Sequence, residues 1–272
     1  MVAGEKIAAI AMTEPGTGSD VAAIRTQARR DGEHYVLSGQ KTFITNGQNA
    51  DLVIVFAKTD PTQGAKGTSL LLVETGRLGF TRGRNLEKIG MKAQDTSELF
   101  FTDVKVPAAN LIGLQEGRGF KTAMNVLAKG RIHIAAVAVG VAKRILRDAL
   151  QYALERKQFD QPICDFQLVQ AMLADSQAEL YAAECMTLDA ARRRDDGHNV
   201  STEASCAKMF ATEMCGRVAD RAVQILGGAG YMAEYGIERF YRDVRLFRLY
   251  EGTTQIQQII IARNMVREAR NA

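Results

Sequence analysis

The 272-residue chain is 46% hydrophobic and 24% charged, the balance of one large or two ordinary folded domains and not of a disordered, collagen-like or coiled-coil sequence. Its 35 basic and 31 acidic side chains leave a net charge of +4, scattered without a basic stripe or interleaved aromatics, so nucleic-acid binding has no support. The longest apolar run, Ile134 to Ala142, falls short of the roughly 20 residues that a membrane helix needs.

Up to about Asn110 short β-branched or alternating runs predict strands at Lys6 to Met12, Ile24 to Arg30, His34 to Ser38, Leu52 to Lys58, Ser69 to Val73 and Leu99 to Val106. Asp31-Gly32 is a hairpin signal because glycine takes the positive φ of tight turns; Asn46-Gly47, Gly64 and Gly67 are further turn signals. Strands with no helices between them imply an antiparallel sheet or barrel. From about Arg118 the apolar period becomes 3.6. Phe120 to Lys157 reads as one long buried helix through Val126, Leu127, Ile134, Val137, Val141, Ile145 and Leu150, with Gly130 as the place for a break. Phe166 to Arg194, Ser201 to Leu226 and Gln255 to Arg270 follow as helices. The expected fold is α+β: an N-terminal antiparallel β-barrel-like domain over residues 1–115, then a C-terminal four-helix bundle over 116–272.

Several chemistries drop out on residue type and spacing. Cys164, Cys185, Cys206 and Cys215 form no C-x-x-C pair and read as reduced, packed thiols. His34, His133 and His198 have no partner at metal-ligand spacing, so no metal site is expected. Gly228 to Ala233 imitates a dinucleotide fingerprint, but a helix precedes it where a strand is required. Gly117 to Thr122 lacks P-loop spacing. Thr13 to Asp20 is different: it follows a strand and offers backbone N–H groups and hydroxyls to an anion or a flavin edge, though by itself it is equally a well-bonded turn. Glu251, just before a helix, serves either the helix dipole or chemistry.

Five segments occur in a telling order: Thr13-Glu14-Pro15-Gly16-Thr17-Gly18-Ser19-Asp20, Gly39-Gln40-Lys41-Thr42-Phe43-Ile44-Thr45-Asn46-Gly47, Glu155-Arg156-Lys157-Gln158-Phe159, Gln224-Ile225-Leu226-Gly227-Gly228 and Tyr250-Glu251-Gly252-Thr253-Thr254-Gln255-Ile256. Together they resemble the acyl-CoA dehydrogenase family, over essentially the whole chain. The resemblance implies FAD-dependent removal of the α-proton and β-hydride of an acyl-CoA thioester. The product would be the trans-2-enoyl-CoA, with electrons passed to an electron-transfer flavoprotein in fatty-acid β-oxidation. It implies Glu251 as catalytic base, with Met12, Thr13, Gly18, Ser19, Phe43, Ile44 and Thr45 at the flavin and its pyrophosphate. Arg156, Phe159, Phe166, Gln167, Gln224, Gly227, Gly228, Thr253 and Gln255 fall to the rest of FAD, several of them serving a neighbouring subunit, which implies a homodimer or homotetramer. Ser19, Arg131, Tyr250, Gly252 and Arg263 fall to the thioester and the CoA.

Departures from the family pattern stand out. Phe43 occupies a place where many relatives have Trp, and Ala128 precedes Arg131 where many have Asp. Some relatives put the base on the long helix beside the arginine; that neighbour here is Gly130, which cannot act. Family members also begin with a helical domain that walls the acyl pocket, whereas this sequence starts near its junction. A fragment, a displaced start and one half of a two-chain enzyme with a helical-domain partner all stay open. The alternatives to a dehydrogenase are an acyl-CoA oxidase and a silent FAD- and acyl-CoA-binding subunit. The expected location is cytoplasmic, or the mitochondrial matrix in a eukaryote, and not secreted.

Overall fold

The computed structural model describes residues 1–271, the side chain of Ala128 excepted. It divides into two compact units, Met1–Asn125 and Val126–Ala272, with the division inside a helix. The first unit is a seven-stranded sheet: β1 (Ala8–Ala11), β2 (Gln27–Asp31), β3 (His34–Thr45), β4 (Leu52–Lys58), β5 (Thr68–Glu74), β6 (Phe80–Asn85) and β7 (Thr96–Pro107). The spatial order is β1-β4-β2-β3-β7-β6, with β5 paired to β4. All six predicted strands are present. The seventh, β6, escapes the pattern because it is an edge strand on which Thr81, Arg82, Arg84 and Asn85 face outward or sit at the rim and only Phe80 is buried. Most pairings are antiparallel as expected, but β1 runs parallel to β4 from Ala8↔Leu52 to Ala11↔Val55. No hairpin links these two strands, so nothing local forces them to run opposite ways.

Alternation along the strands makes the core. Tyr35 and Leu37 of β3, Val53 and Val55 of β4, Leu71 and Val73 of β5, and Leu99 and Val104 of β7 are all completely buried in one cluster. Gly32, at φ +56°, turns β2 into β3 with Asp31 opposite His34. Asn46-Gly47 is a turn as well, but it delivers the chain to β4, which does not pair with β3.

The second unit holds most of α1 (Gly119–Glu155), a small hairpin of β8 (Lys157–Gln158) and β9 (Gln161–Pro162), then α2 (Gln167–Asp195), α3 (Ser201–Leu226), α4 (Gly228–Tyr231), α5 (Ile237–Val244) and α6 (Thr254–Asn271). α1 continues unbroken through Gly130. By length and composition alone it could cross a membrane. Its inward stripe, however, is Ala135, Ala138, Ala142, Ile145, Ala149 and Ala153, packed in one cluster with Leu180 and Ala183 of α2 and Ala204, Ala207, Ala211 and Met214 of α3. The periodicity assigned Val126, Val137 and Leu150 to the buried face, yet all three are exposed. Alanine is the reason: its small side chain lets helices approach closely, and the bulkier residues are left outside. A second correction concerns the cysteines. All four thiols are free, but Cys185 is exposed and only Cys215 is fully packed.

Candidate active site

In the sheet unit the site begins where β1 runs into the loop from Met12 to Asp20. Glu14 and Thr17 exchange both backbone hydrogen bonds (2.9 and 3.0 Å), closing a tight turn, and Thr42 N–H ties it to β3 through Thr13 O at 2.9 Å. Gly18 and Ser19 are left exposed. Under the turn lies a buried carboxylate. Glu14 accepts from Arg25 N–H (2.6 Å), Thr26 N–H (3.0 Å) and Lys41 Nζ (2.8 Å), and Lys41 Nζ also donates to Met12 O at 3.0 Å. Burial pushes Glu14 up, but the bonds from Lys41, Thr26 and Arg25 and the Lys41 charge outweigh it and hold the carboxyl below its ordinary value. For Lys41 burial wins, pulling the ammonium down to about 8 despite Glu14.

Two residues beyond Lys41 the β3–β7 register slips, and Phe43 takes the left-handed conformation at φ +57°. The slip turns its ring outward, 66% exposed, while Thr42 and Ile44 stay buried and Thr45 is exposed. An exposed aromatic on strained backbone is a feature that a fold keeps for a ligand more readily than for stability. A Cβ added at Gly16 or Gly18 would meet nothing within 4 Å, so the loop is open to a close-fitting group. A flat apolar ring next to N–H and hydroxyl donors fits an isoalloxazine and a phosphate.

In the helical unit the focus is Glu251. It sits at φ +54° with Gly252 at φ +86°, two consecutive left-handed residues between α5 and α6. Among the described residues, Glu251 Oε2 and Arg131 Nε are buried without a hydrogen-bond partner. Burial pushes the Glu251 carboxyl above its ordinary value, against the opposing charges of Arg131, Lys208 and His133. Burial also pulls the Arg131 guanidinium down and pushes Tyr250 up to about 12. The Tyr250 ring stacks on Phe247, centroids 6.0 Å apart. A Cβ at Gly130 would lie 2.6 Å from Glu251 Oε2, so the missing side chain on α1 makes the space that the carboxylate occupies.

A cleft of about 520 Å³ brings together Arg156, Gln158, Gly227, Gly228, Tyr152 and Tyr235. Gly227, at φ +58°, ends α3 by donating its N–H to Gln224 O, and the Gln224 side chain is exposed. Phe159 and Asp160, both at positive φ, form the two-residue turn between β8 and β9. That turn type matches the strand twist. It leaves Phe159 88% exposed, edge-on to Phe166 just before Gln167 opens α2. Exposed aromatics with an arginine and glycine backbone suit a nucleotide half of a cofactor. Thr253 caps α6, its Oγ1 accepting from Ile256 N–H at 3.3 Å. Gln255 is exposed, and Arg263 lies on the exposed face of α6 beside Val266, Arg267 and Arg270, where no described contact joins it to Glu251. The Ala128 side chain lies outside the described residues.

Residues 9–104 match the family model for the acyl-CoA dehydrogenase middle domain, and residues 117–266 the model for its C-terminal domain. The chain belongs to the acyl-CoA dehydrogenase family. It is 44% identical to a 3-(aryl)acrylate reductase of Clostridium sporogenes over 98% of this chain and 71% of the relative. It is 43% identical to the caffeyl-CoA reductase-Etf complex subunit CarC of Acetobacterium woodii over 96% of this chain and 69% of that one. The crystal structure of an acyl-CoA dehydrogenase from Geobacillus kaustophilus superposes with a TM-score of 0.95 at 47% identity, covering 97% of this chain and 70% of the other. The relatives are thus longer by about three tenths of their length.

Within this family frame, the Glu251–Gly130 packing makes a prediction. Gly130→Ala places a methyl 2.6 Å from Glu251 Oε2, so the carboxylate must rotate away while α1, which gains helix propensity, stays intact. Flavin reduction by substrate is expected to slow by about tenfold or more, with thermal stability retained, since small displacements of a reacting group are costly. Stopped-flow reduction beside a melting curve checks both.

Sequence reasoning missed Lys208, Gln257 and the role of the Glu14–Lys41 pair. One signal was present for Lys208: it falls on the apolar stripe Ala204, Ala207, Ala211, Cys215 of α3, where a lysine is out of place.

Proposed function

We propose that this chain carries out the α,β-dehydrogenation of an acyl-CoA thioester with FAD, passing the electrons to an electron-transfer flavoprotein. One observation carries the reading: a buried carboxylate with an unpaired oxygen, held opposite a glycine and beside a buried arginine. Bound FAD would supply the acceptor for the β-hydride. The Met12–Ser19 loop and Phe43 would hold the flavin side, and the Arg156–Gly228 cleft its nucleotide half, on a neighbouring subunit of a homodimer or homotetramer. Glu251 takes the α-proton onto its unpaired oxygen. Its backbone N–H donates to the thioester oxygen as negative charge develops there. Substrate entering displaces water, which strengthens each of these interactions.

The same groups work in reverse, with protonated Glu251 returning the α-proton. Two relatives are named reductases, the direction in which these groups would then run. The test is to add FAD to the apoprotein and then acyl-CoA without oxygen. Saturable flavin binding followed by bleaching is expected; a protein that takes up no flavin would overturn the reading. Oxygen consumption during turnover would instead point to an oxidase.

A further inference from the structure

Beneath the Glu251–Gly252 turn lie two side chains with no role in the chemistry above. Lys208 of α3 is completely buried, and its Nζ donates to Gly252 O at 2.7 Å. Gln257 of α6, equally buried, donates from Nε2 to Glu251 O at 3.1 Å and to Gly252 O at 3.0 Å. A Cβ on Gly252 would stand 2.6 Å from that nitrogen, so glycine is what lets the amide reach. Three hydrogen bonds therefore fix the carbonyls of two consecutive residues in a conformation that a non-glycine residue keeps only when its surroundings over-determine it.

The charge matters as much as the bonds. Lys208 faces two carboxylates, Glu251 and Glu213, and one opposing cation, Arg131. Glu213 is already engaged by Thr254 Oγ1 at 2.7 Å and by Arg248 Nε at 3.3 Å. Among the described residues Glu251 Oε2 has no hydrogen-bond partner, and the groups around the carboxylate are Arg131 and His133 on α1, Lys208 on α3 and its neighbour Tyr250.

We infer that Lys208 is a positioning residue for Glu251: with Gln257 it holds the turn through the Gly252 carbonyl, and its buried cation limits the proton affinity of the base. The inference rests on Glu251 being that base. Burial pulls Lys208 down to about 8, so its charge is present at neutral pH and fades above that value. Below it, the cation opposes the desolvation that raises Glu251.

The test uses the holoenzyme with Lys208→Gln, which retains a donor without charge, and Lys208→Met, which removes both. Glu251 is titrated without substrate through its infrared carboxyl band, assigned by the loss of that band in Glu251→Gln. The midpoint is expected to rise by about one pH unit, tenfold in proton affinity, in both variants. The acid limb of the flavin-reduction profile should move with it, and the plateau rate should fall further in Lys208→Met than in Lys208→Gln. An unmoved midpoint in folded Lys208→Gln overturns the inference, and that variant decides alone if Lys208→Met does not fold. A wild-type reduction rate in Glu251→Gln would instead remove the base assignment, a failure that is read separately.

Discussion

Glu251→Gln is expected to bind FAD and acyl-CoA and yet reduce the flavin at least about a hundredfold more slowly, the low end of what a general base contributes. The substitution keeps size and shape and removes the charge and, with it, the ability to accept the α-proton. A purely structural carboxylate at a helix start would behave differently, because losing its interaction with the dipole costs about 1 kcal/mol or less and spares the chemistry. Stability gives a second discriminant, and its sign follows from linkage. Burial raises the Glu251 pKa in the folded protein above its ordinary value. The folded state therefore binds the proton more tightly than the unfolded chain, so the contribution of Glu251 is most favourable at low pH and is lost as pH rises through the folded pKa. Once ionised, the buried side chain is a net cost to the fold. Glu251→Gln should then melt no lower than the wild type at pH 7, and should lose that relative advantage on acidification. Stopped-flow reduction and melting curves across pH measure the two effects together. A normal rate, or a variant markedly less stable at pH 7, would return Glu251 to a structural role.

The fold was legible where burial follows a simple period. Every strand with alternating apolar residues, and each of the four long helices, could be read because the inward face repeats every second residue or every 3.6. What the pattern could not carry was the identity of the buried face of α1, because alanine and valine score alike as apolar while the residues packed against the other helices are mostly alanine. β6 was hidden for the opposite reason, having almost no buried face to betray it. The site divides similarly. Glu251 and Gly252 were visible through motif order and Arg131 through the family resemblance, and the structure places Glu251 and Arg131 in one electrostatic neighbourhood. Gly130 could be read as a residue unable to act, but not as the space into which a carboxylate fits. Lys208 and Gln257 act on backbone carbonyls 44 and 5 residues away, a relation that no local spacing encodes.

Lys41→Met should cost about 3–5 kcal/mol at neutral pH, the range for breaking a buried ion pair by removing one partner. Lys41 is 0% exposed and Glu14 7%, and their contact is 2.8 Å. The loss has two parts. Glu14 keeps its bonds from Arg25 and Thr26 but becomes a buried charge without a counter-ion, and the Met12 carbonyl loses its donor. In the wild type the Glu14 carboxyl lies below its ordinary value, so its stabilising contribution is present above the unfolded pKa and is lost as pH falls through the folded one. Removing the cation takes away the strongest influence opposing desolvation, so Glu14 should titrate higher than in the wild type. The deficit of Lys41→Met should therefore shrink on acidification, as the protonated carboxyl no longer needs a partner. The double change Lys41→Met with Glu14→Gln should recover most of the loss, since a neutral amide in that place leaves no charge unpaired. Function should follow the same logic. The pair ties the Met12–Ser19 loop to β3 directly beside Phe43, so the single variant should also bind FAD more weakly, and the double variant should regain less affinity than stability because the tie to Met12 O stays broken. Urea unfolding at two pH values and fixed FAD, with flavin titration of the apoproteins, separates these outcomes. A single variant within about 1 kcal/mol of wild type would show that the loop is held by its backbone bonds alone, with the ion pair adding only what an exposed pair adds.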